Sequence, residues 1–219
     1  MRLRTKEEAL SIIHSCSKEY KRNLANKCLL FITTRNADTV FFEAAFMPHN
    51  FKHLTGIITK LSGLDFYNLA VKNRLSPREI ILANDGTTDL KLDVLPQLMR
   101  IHTTARMVGE YDQSKSFLVT DKVAGTITAA MGFIQTNGMY LPNTALKKDV
   151  REVTKHATRY RVAAIFAKHR HAKTYSNLTY IAKGLSLEEL LPANIDKYVD
   201  LSELKATFPI PQKQSDVHE

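Results

Sequence analysis

The stretch FMPHNFKHLTGI, residues 46–57, concentrates side chains that could transfer protons or bind an anion. It holds His49, Lys52, His53 and Thr55 between apolar residues. Histidine has an unperturbed pKa of about 6.5, so it can serve as a general acid or a general base near neutral pH. Three interpretations are open: a polar hairpin turn at the end of a strand, a metal site, or an acid–base site that acts on a phosphate.

A metal site is the least favoured of the three interpretations. His49 and His53 are four residues apart, a spacing that suits two ligands only on a helix, and Pro48 with its β-type flanks predicts that this stretch is not helical. His169 and His171 have lysines and arginines around them that would repel a cation. We therefore predict neither a metal nor a cofactor.

Phosphodiester chemistry without a metal is compatible with the residue types. The chain lacks the GxxxxGK[ST] and GxGxxG motifs and a serine-nucleophile motif. An RNA 2′-hydroxyl can itself act as the nucleophile, so the protein need supply only a base, an acid and groups that stabilise charge on the phosphate. Besides the residues around His53, suitable side chains near predicted strand ends belong to Lys91, Tyr111, Thr144 and Lys147.

Each candidate also has a purely structural interpretation. His53 is compatible with a half-buried histidine at a strand end, and Thr55 with a simple turn before Gly56. Lys91 fits the solvated flank of a helix, and PNTALKKD, residues 142–149, fits a capping residue that opens a short helix. The residues alone leave both kinds of interpretation open.

Charge is distributed unevenly along the chain. The net charge is +9 and the pI is about 9.5. Residues 147–183 contain ten lysines and arginines but only two acidic residues, whereas acidic residues predominate after them. A basic surface attracts polyanions, of which nucleic acid is the commonest. Charge alone leaves two interpretations open: a basic protein that binds nothing in particular, or one whose basic segment, with Arg151, Arg161 and Lys168, attracts nucleic acid.

The sequence predicts a cytoplasmic protein with no membrane partner. No apolar run approaches the roughly 18 residues needed to cross a bilayer, and MRLRTKEEAL does not resemble a secretory signal. Cys16 and Cys28 lack CxxC spacing, which favours two thiols in a reducing compartment.

The first half of the chain favours helices around one hairpin. Thr5 and Glu8 predict a capping box at the start of a helix. CLLFITT and TVFFEAAF, separated by RNAD, predict a β-hairpin. Apolar residues then recur at helical spacing in LDFYNLAVKNRL and in LKLDVLPQLMRIHTTARMVGEY.

The second half favours strands. SFLVTD, GTITAAMGFIQT and GMYLPNT are short β-type runs, and Asn137-Gly138 between the last two is a strong hairpin signal. RYRVAAIFAKH and YSNLTYIAKG predict another strand pair, LSLEELLP a short helix and PIPQKQSDVHE a disordered end. The predicted fold class is α+β, with helices packed on an antiparallel β-sheet.

Five motifs carry a resemblance to a known family. NFKHLTGI, DGTTDLKLDVL, VGEY, TDK and YLPNTALKKDVR occur in this order. They resemble the fourth group of phage-type nuclease domains in the barnase–EndoU–colicin–RelE-like superfamily, a group found in phages and mobile elements. The resemblance covers residues 28–183, so we predict a nuclease-like domain there. Residues 1–27 would then form an N-terminal helical extension, and residues 184–219 an acidic C-terminal helix and tail.

The resemblance implies a metal-independent endoribonuclease that leaves a 2′,3′-cyclic phosphate, related to toxins and effectors. It implies His53 as general acid or base, with Lys91, Thr144 and Lys147 completing the catalytic set. The residues predicted to contact RNA, with tRNA as one candidate, are Lys52, Thr55, Tyr111, Asn143, Arg151, Arg161 and Lys168. The alternative is a non-catalytic phage or mobile-element protein that binds nucleic acid or inhibits a host defence protein. An immunity protein or host protein is a further candidate partner.

Overall fold

The first helix, α1 (Lys6–Asn23), begins where the sequence predicts. In the computed structural model, which describes residues 3–36, 38–114, 118–191 and 195–206, the Thr5 hydroxyl accepts from the Glu8 amide and the Glu8 carboxylate accepts from the Thr5 amide. This reciprocal pairing satisfies two backbone donors that a helix leaves open at its N-terminus. The predicted capping box is confirmed.

A hairpin and four helices follow α1. Their bounds are β1 (Lys27–Arg35), β2 (Asp38–Phe46), a 3-10 turn (Pro48–Asn50), α2 (Phe51–Thr55), α3 (Gly63–Val71), α4 (Thr87–Leu98) and α5 (Ile101–Thr104). The stretch that contains His53 is therefore helical, and the prediction that Pro48 excludes a helix is wrong. Proline fits the first position of a helix because its missing N–H would be unsatisfied there in any case.

The second half is mainly extended, as predicted. Its elements are β3 (Met107–Glu110), β4 (Lys122–Gly125), β5 (Ala130–Thr136), β6 (Met139–Leu146), α6 (Val150–Val153), a 3-10 turn (His156–Thr158), β7 (Tyr160–His169), β8 (Asn177–Ile181), α7 (Leu187–Leu190), a 3-10 turn (Ile195–Lys197) and β9 (Lys205–Ala206). The predicted disordered end, residues 209–219, lies outside the described residues.

Two predicted elements have different bounds in the structure. The long helix predicted for residues 90–111 is divided into α4, α5 and strand β3, because Met107 finds strand partners in Gly125 and Arg161. The strand predicted for SFLVTD begins only after it, at Lys122. Ser116 and Phe117 of that run lie outside the described residues.

The sheet is mixed, which corrects the prediction of a purely antiparallel one. Its order is β1-β2-β6-β5-β4-β3-β7-β8-β9, and β1 also pairs with β7 along nearly its whole length, so the first seven of these strands close a ring. Most pairs are antiparallel, but β2–β6 and β8–β9 are parallel. The β2–β6 pair closes the ring through a single register pair, Ala44 with Tyr140.

The predicted hairpin between β5 and β6 is confirmed. Asn137 and Gly138 have φ values of 51° and 80°. Two consecutive residues with positive φ form the tight turn whose twist matches an antiparallel pair. β6 continues to Leu146, so the alternative in which residues 142–149 open a short helix is wrong for residues 142–146.

Three core clusters hold helices against the two faces of the sheet. The largest joins residues of α1–α5 to Phe31, Phe42 and Phe133 on the strands. A second packs residues from the C-terminal segment, including Leu190, on β1 and β7. A third places Val150 and Val153, the first and last residues of α6, against β4 and β5. No helix in the described part of the chain is both long enough and apolar enough to span a bilayer.

Candidate active site

Helix α2 presents His53 to solvent. Phe51 and Leu54 of this one-turn helix are fully buried against α1, α3 and the strands, whereas His53 is exposed. His49 is also exposed and lies four residues earlier on the same continuous helical segment. Residues four apart on a helix lie on one face, so both imidazoles belong to the same surface.

Two threonines stabilise the end of α2, and one of them, Thr88, links it to α4. The Thr55 hydroxyl donates to the Lys52 carbonyl at 2.8 Å and accepts from the Ile57 amide at 3.2 Å. The Thr88 hydroxyl donates to the Gly56 carbonyl at 2.8 Å. Gly56 ends the helix with φ 69°, a conformation that favours glycine. Thr55 thus closes the end of α2 itself, and the Gly56 carbonyl is the group that ties this end to α4.

Lys91 lies directly beneath this helix end. Its Nζ donates to the His53 carbonyl at 3.2 Å, and its aliphatic stem packs against Gly56, where an added Cβ would lie 2.9 Å from Lys91 Cδ. Burial lowers the pKa of the Lys91 amine. The fold therefore brings the Lys91 amine to the backbone carbonyl of His53, 38 residues away in the chain.

The electrostatic surroundings of His53 favour the neutral imidazole. Burial is the main cause that lowers its pKa, and the positive charges of Lys52, Lys91 and His49 lower it further. A pKa below the ordinary value of 6.5 leaves the imidazole unprotonated near neutral pH. The site is therefore equipped to accept a proton at neutral pH.

Lys147 reaches α4 but is held by a carboxylate. Its Nζ lies 2.6 Å from Asp93, and Asp93 also accepts from Arg4. Arg4 in turn contacts Asp89 at 3.1 Å. These charges form a chain of ion pairs along one side of α4, so Lys147 is near the site but already has a counter-ion.

Thr144 and Asn143 lie at an irregularity of β6. Thr144 pairs with Gly132 and Pro142 with Phe133, so Asn143 is the extra residue of a β-bulge. Thr144 is only 4% exposed, and its hydroxyl has no hydrogen-bond partner within the described part of the chain. Its methyl faces Gly132 rather than solvent. Asn143 donates to the Val119 carbonyl.

The predicted RNA-contact residues are dispersed. Lys52 donates to the Leu61 carbonyl at 3.1 Å, and Thr55 is fully buried. Tyr111 is 2% exposed, directly follows β3 and lines the polar pocket described below. The basic candidates occupy separate positions: Arg151 pairs with Asp149, Arg161 is exposed on β7, and Lys168 lies over the Tyr175 ring beside Glu43.

A polar pocket lies at the beginning of β6, and among its lining residues the sequence had singled out Tyr111 as an RNA contact. Its charged and aromatic lining residues include Glu110, Lys122, Tyr140 and Lys155. Part of the signal for it was present in the sequence, because TDK and YLPNT place polar residues at predicted strands, whereas VGEY was predicted to be helical. Which strand ends are neighbours follows only from the sheet order.

His49 and His53 could contribute two ligands to a metal ion only from the same side of their helical segment. Both lie on one helical face, so the predicted absence of a helix no longer argues against a shared ion. Among the described residues, however, no group of three or more histidine, cysteine, aspartate or glutamate side chains could hold an ion.

Comparison with known proteins identifies the family. Residues 12–184 match the family model described as phage-Barnase-EndoU-ColicinE5/D-RelE like nuclease4. No curated protein and no solved structure matches the chain. The matched range covers most of the chain and includes α2, α4, β6 and the polar pocket. The chain therefore belongs to the fourth family of phage-type nucleases related to barnase, EndoU, colicins E5 and D, and RelE.

Proposed function

We propose that this nuclease is a metal-independent endoribonuclease whose proton-transfer residue is His53. The observation that carries the proposal is the His53 imidazole, which is accessible to solvent on α2 but partly desolvated, so that this desolvation and three neighbouring positive groups lower its pKa. A neutral imidazole at neutral pH can remove a proton from a 2′-hydroxyl. RNA supplies that hydroxyl and DNA does not, so RNA is the substrate that this chemistry fits.

The reaction transfers the phosphoryl group within the RNA. His53 takes the 2′-hydroxyl proton as the 2′-oxygen forms its bond to phosphorus, and the bond from phosphorus to the 5′-oxygen breaks. The products are a 2′,3′-cyclic phosphate and a 5′-hydroxyl end, and the leaving 5′-oxygen needs one proton. His49 is exposed on the same helical face and is a candidate donor of that proton.

Cationic groups would stabilise the charge on the phosphate. Lys91 lies under His53, and Lys147 can contribute when a phosphate replaces Asp93 as its partner. The Thr144 hydroxyl enters the proposal because it is unpartnered in the described part of the chain, but it needs local opening of the β6 bulge to reach a ligand. Each of these roles is separable by substitution.

The test is cleavage of RNA in a chelator. Purified protein is incubated with total RNA and with tRNA in EDTA, and the new ends are mapped for a 2′,3′-cyclic phosphate. We expect cleavage with chelator present, and a loss of about 100-fold or more in His53→Ala, the scale expected for a removed general base. Lys72→Ala, at an exposed position on the segment after α3, is the matched control. Intact RNA with every substrate would contradict the proposal.

Binding without catalysis is the second candidate function, and the basic segment favours it. It predicts RNA binding that weakens steeply with salt and is unchanged in His53→Ala. A protein that instead inhibits a host defence protein, or that has an immunity partner, predicts a stable protein complex with little dependence on salt.

A further inference from the structure

The polar pocket is formed where four strands end or begin. Glu110 is the last residue of β3, Lys122 the first of β4, Gln135 the second-last of β5 and Tyr140 the second of β6. Together with Lys155 and neighbouring residues they line a cavity of about 250 Å³. The sheet order makes these strands neighbours and therefore brings the polar side chains to one place.

This pocket lies at the opposite end of β6 from Lys147, the predicted catalytic lysine that contacts α4. Lys147, which contacts α4, follows the end of β6, and Tyr140 lies near its beginning. Seven residues of extended chain separate them by roughly 20 Å, at about 3.3 Å per residue. One scissile phosphate cannot contact both places, so the pocket needs a function of its own.

The pocket holds both signs of charge, and although Asp121 accepts from the Gln135 amide at 2.7 Å, its Glu110–Lys155 ion pair is weak. Lys155 lies 3.4 Å from Glu110 in an ion pair whose side chains are each about half exposed. Such exposed pairs contribute about 0–1 kcal/mol, so a ligand can displace them at little cost. Lys122 lies 5.6 Å from the centre of the Tyr140 ring. The pocket thus places hydrogen-bond donors and acceptors close together, and Glu110 and Lys155 remain accessible to a ligand.

Two carboxylates, Glu110 and Asp121, argue against a simple anion as the ligand. A nucleobase edge suits this lining better, because it presents N–H donors and carbonyl acceptors side by side. Carboxylates accept from amino groups of bases, and Lys122, Lys155 and Gln135 can donate to base carbonyl oxygens. The volume lies below the roughly 300–1,000 Å³ of clefts for drug-sized ligands, which fits a single nucleoside.

We propose that the pocket binds one nucleobase of the RNA substrate at a distance from the cleaved bond. It would favour bases with an exocyclic amino group over uracil, because uracil offers the carboxylates no amino donor. The assignment rests on the proposed function in that its ligand is part of the RNA substrate. It gives the nuclease a means of selecting where along an RNA it binds.

Nucleotide binding is measured first, because this measurement does not require RNA cleavage. His53→Ala protein is titrated with 5′-AMP, 5′-GMP, 5′-CMP and 5′-UMP, and the backbone amide shifts of Lys122 and Gln135 are followed. We expect saturable shifts with the amino-bearing nucleotides and at least tenfold weaker binding of 5′-UMP. Glu110→Gln, a change of nearly equal volume, should weaken binding at least tenfold, whereas Glu7→Gln on the exposed start of α1 should not. Thermal melting shows whether each variant is folded.

Cleavage mapping on the protein with His53 intact separates the outcomes. Glu110→Gln should change which sites in a mixed-sequence RNA are cut. Nucleotide binding without any RNA cleavage would overturn the proposed function and support the pocket. Cleavage without nucleotide binding, or binding that Glu110→Gln and Lys122→Ala leave unchanged, would overturn the pocket alone. An active His53→Ala together with an inactive, folded Glu110→Gln would overturn both, because the pocket would then be the catalytic centre.

Discussion

The Nζ of Lys147 lies 2.6 Å from the carboxylate of Asp93, two positions after Lys91 on helix α4. Helical residues two apart point in different directions, so Lys91 projects from a different side of α4 than Asp93, which holds Lys147. The two lysines therefore do not share one phosphate-sized point while this ion pair is intact. Asp93 acts as a counter-ion that a polyanionic ligand has to replace.

Replacing Asp93 by asparagine should strengthen RNA binding. Asp93→Asn removes one negative charge and releases Lys147, whereas Arg4 keeps Asp89 as its partner, so we expect affinity to rise several-fold at low salt. The slope of log affinity against log salt should steepen by about 1, the effect of one added phosphate contact. Fluorescence anisotropy between 50 and 200 mM salt measures both, on the His53→Ala background so that the RNA stays intact.

The control for this change is Asp38→Asn, an exposed carboxylate at the start of β2. It removes the same charge at a position with no contact to α4. Equal gains in affinity in the two variants would show that net charge alone accounts for the effect. The release of Lys147 would then contribute nothing to RNA binding.

Gly56→Ala should destabilise the protein more than an alanine at another positive φ. At Gly56 the new Cβ would lie 2.9 Å from Lys91 Cδ and 3.3 Å from Thr88 Cα, and φ is 69°. At Gly138 φ is 80°, but nothing lies within 4 Å. We expect about 1 kcal/mol of destabilisation at Gly138 from backbone strain, and about 1–2 kcal/mol more at Gly56 from crowding. Urea unfolding of both variants measures the difference, and equal losses would contradict the close approach of α2 and α4.

The pH profile of cleavage should report the charges around His53. A general base must be unprotonated, so kcat/KM should rise with pH along a limb whose apparent pKa lies below 6.5. Lys52→Met and Lys91→Met each remove a positive charge that lowers this pKa. Each change should therefore move the limb to higher pH. Lys72→Met is the control, and a limb that none of these changes moves would exclude His53 as the titrating group.

Local features of the fold were predictable because they depend on neighbouring residues. The capping box needs only Thr5 and Glu8, and the hairpin at Asn137-Gly138 needs only two residues that tolerate positive φ. Pro48 was misinterpreted, since proline can begin a helical segment as readily as it interrupts one.

Pairings between distant residues were not predictable in this way. The pairing of β1 with β7 joins Lys27 to His169, and the Lys147–Asp93 contact spans 54 residues. The motif containing His53 was recognised, but the orientation of Thr144 depends on a bulge in β6. The polar pocket at Glu110 and Lys122 required the order of the strands, which single-strand patterns do not specify.

His102 should make the folded protein sensitive to mild acid. Burial first, and then the charges of Lys27 and Arg100, lower the pKa of His102 to about 4, and its Nδ1 has no hydrogen-bond partner within the described part of the chain. The unfolded chain therefore binds a proton near pH 6.5 that the folded chain binds only near pH 4. Stability is accordingly lost as pH falls through this window, by at most about 3 kcal/mol. Urea unfolding at pH 7.5 and pH 4.5 should show this loss reduced in His102→Gln but retained in His156→Gln, an exposed position. An unchanged pH dependence in His102→Gln would assign the acid sensitivity to other groups.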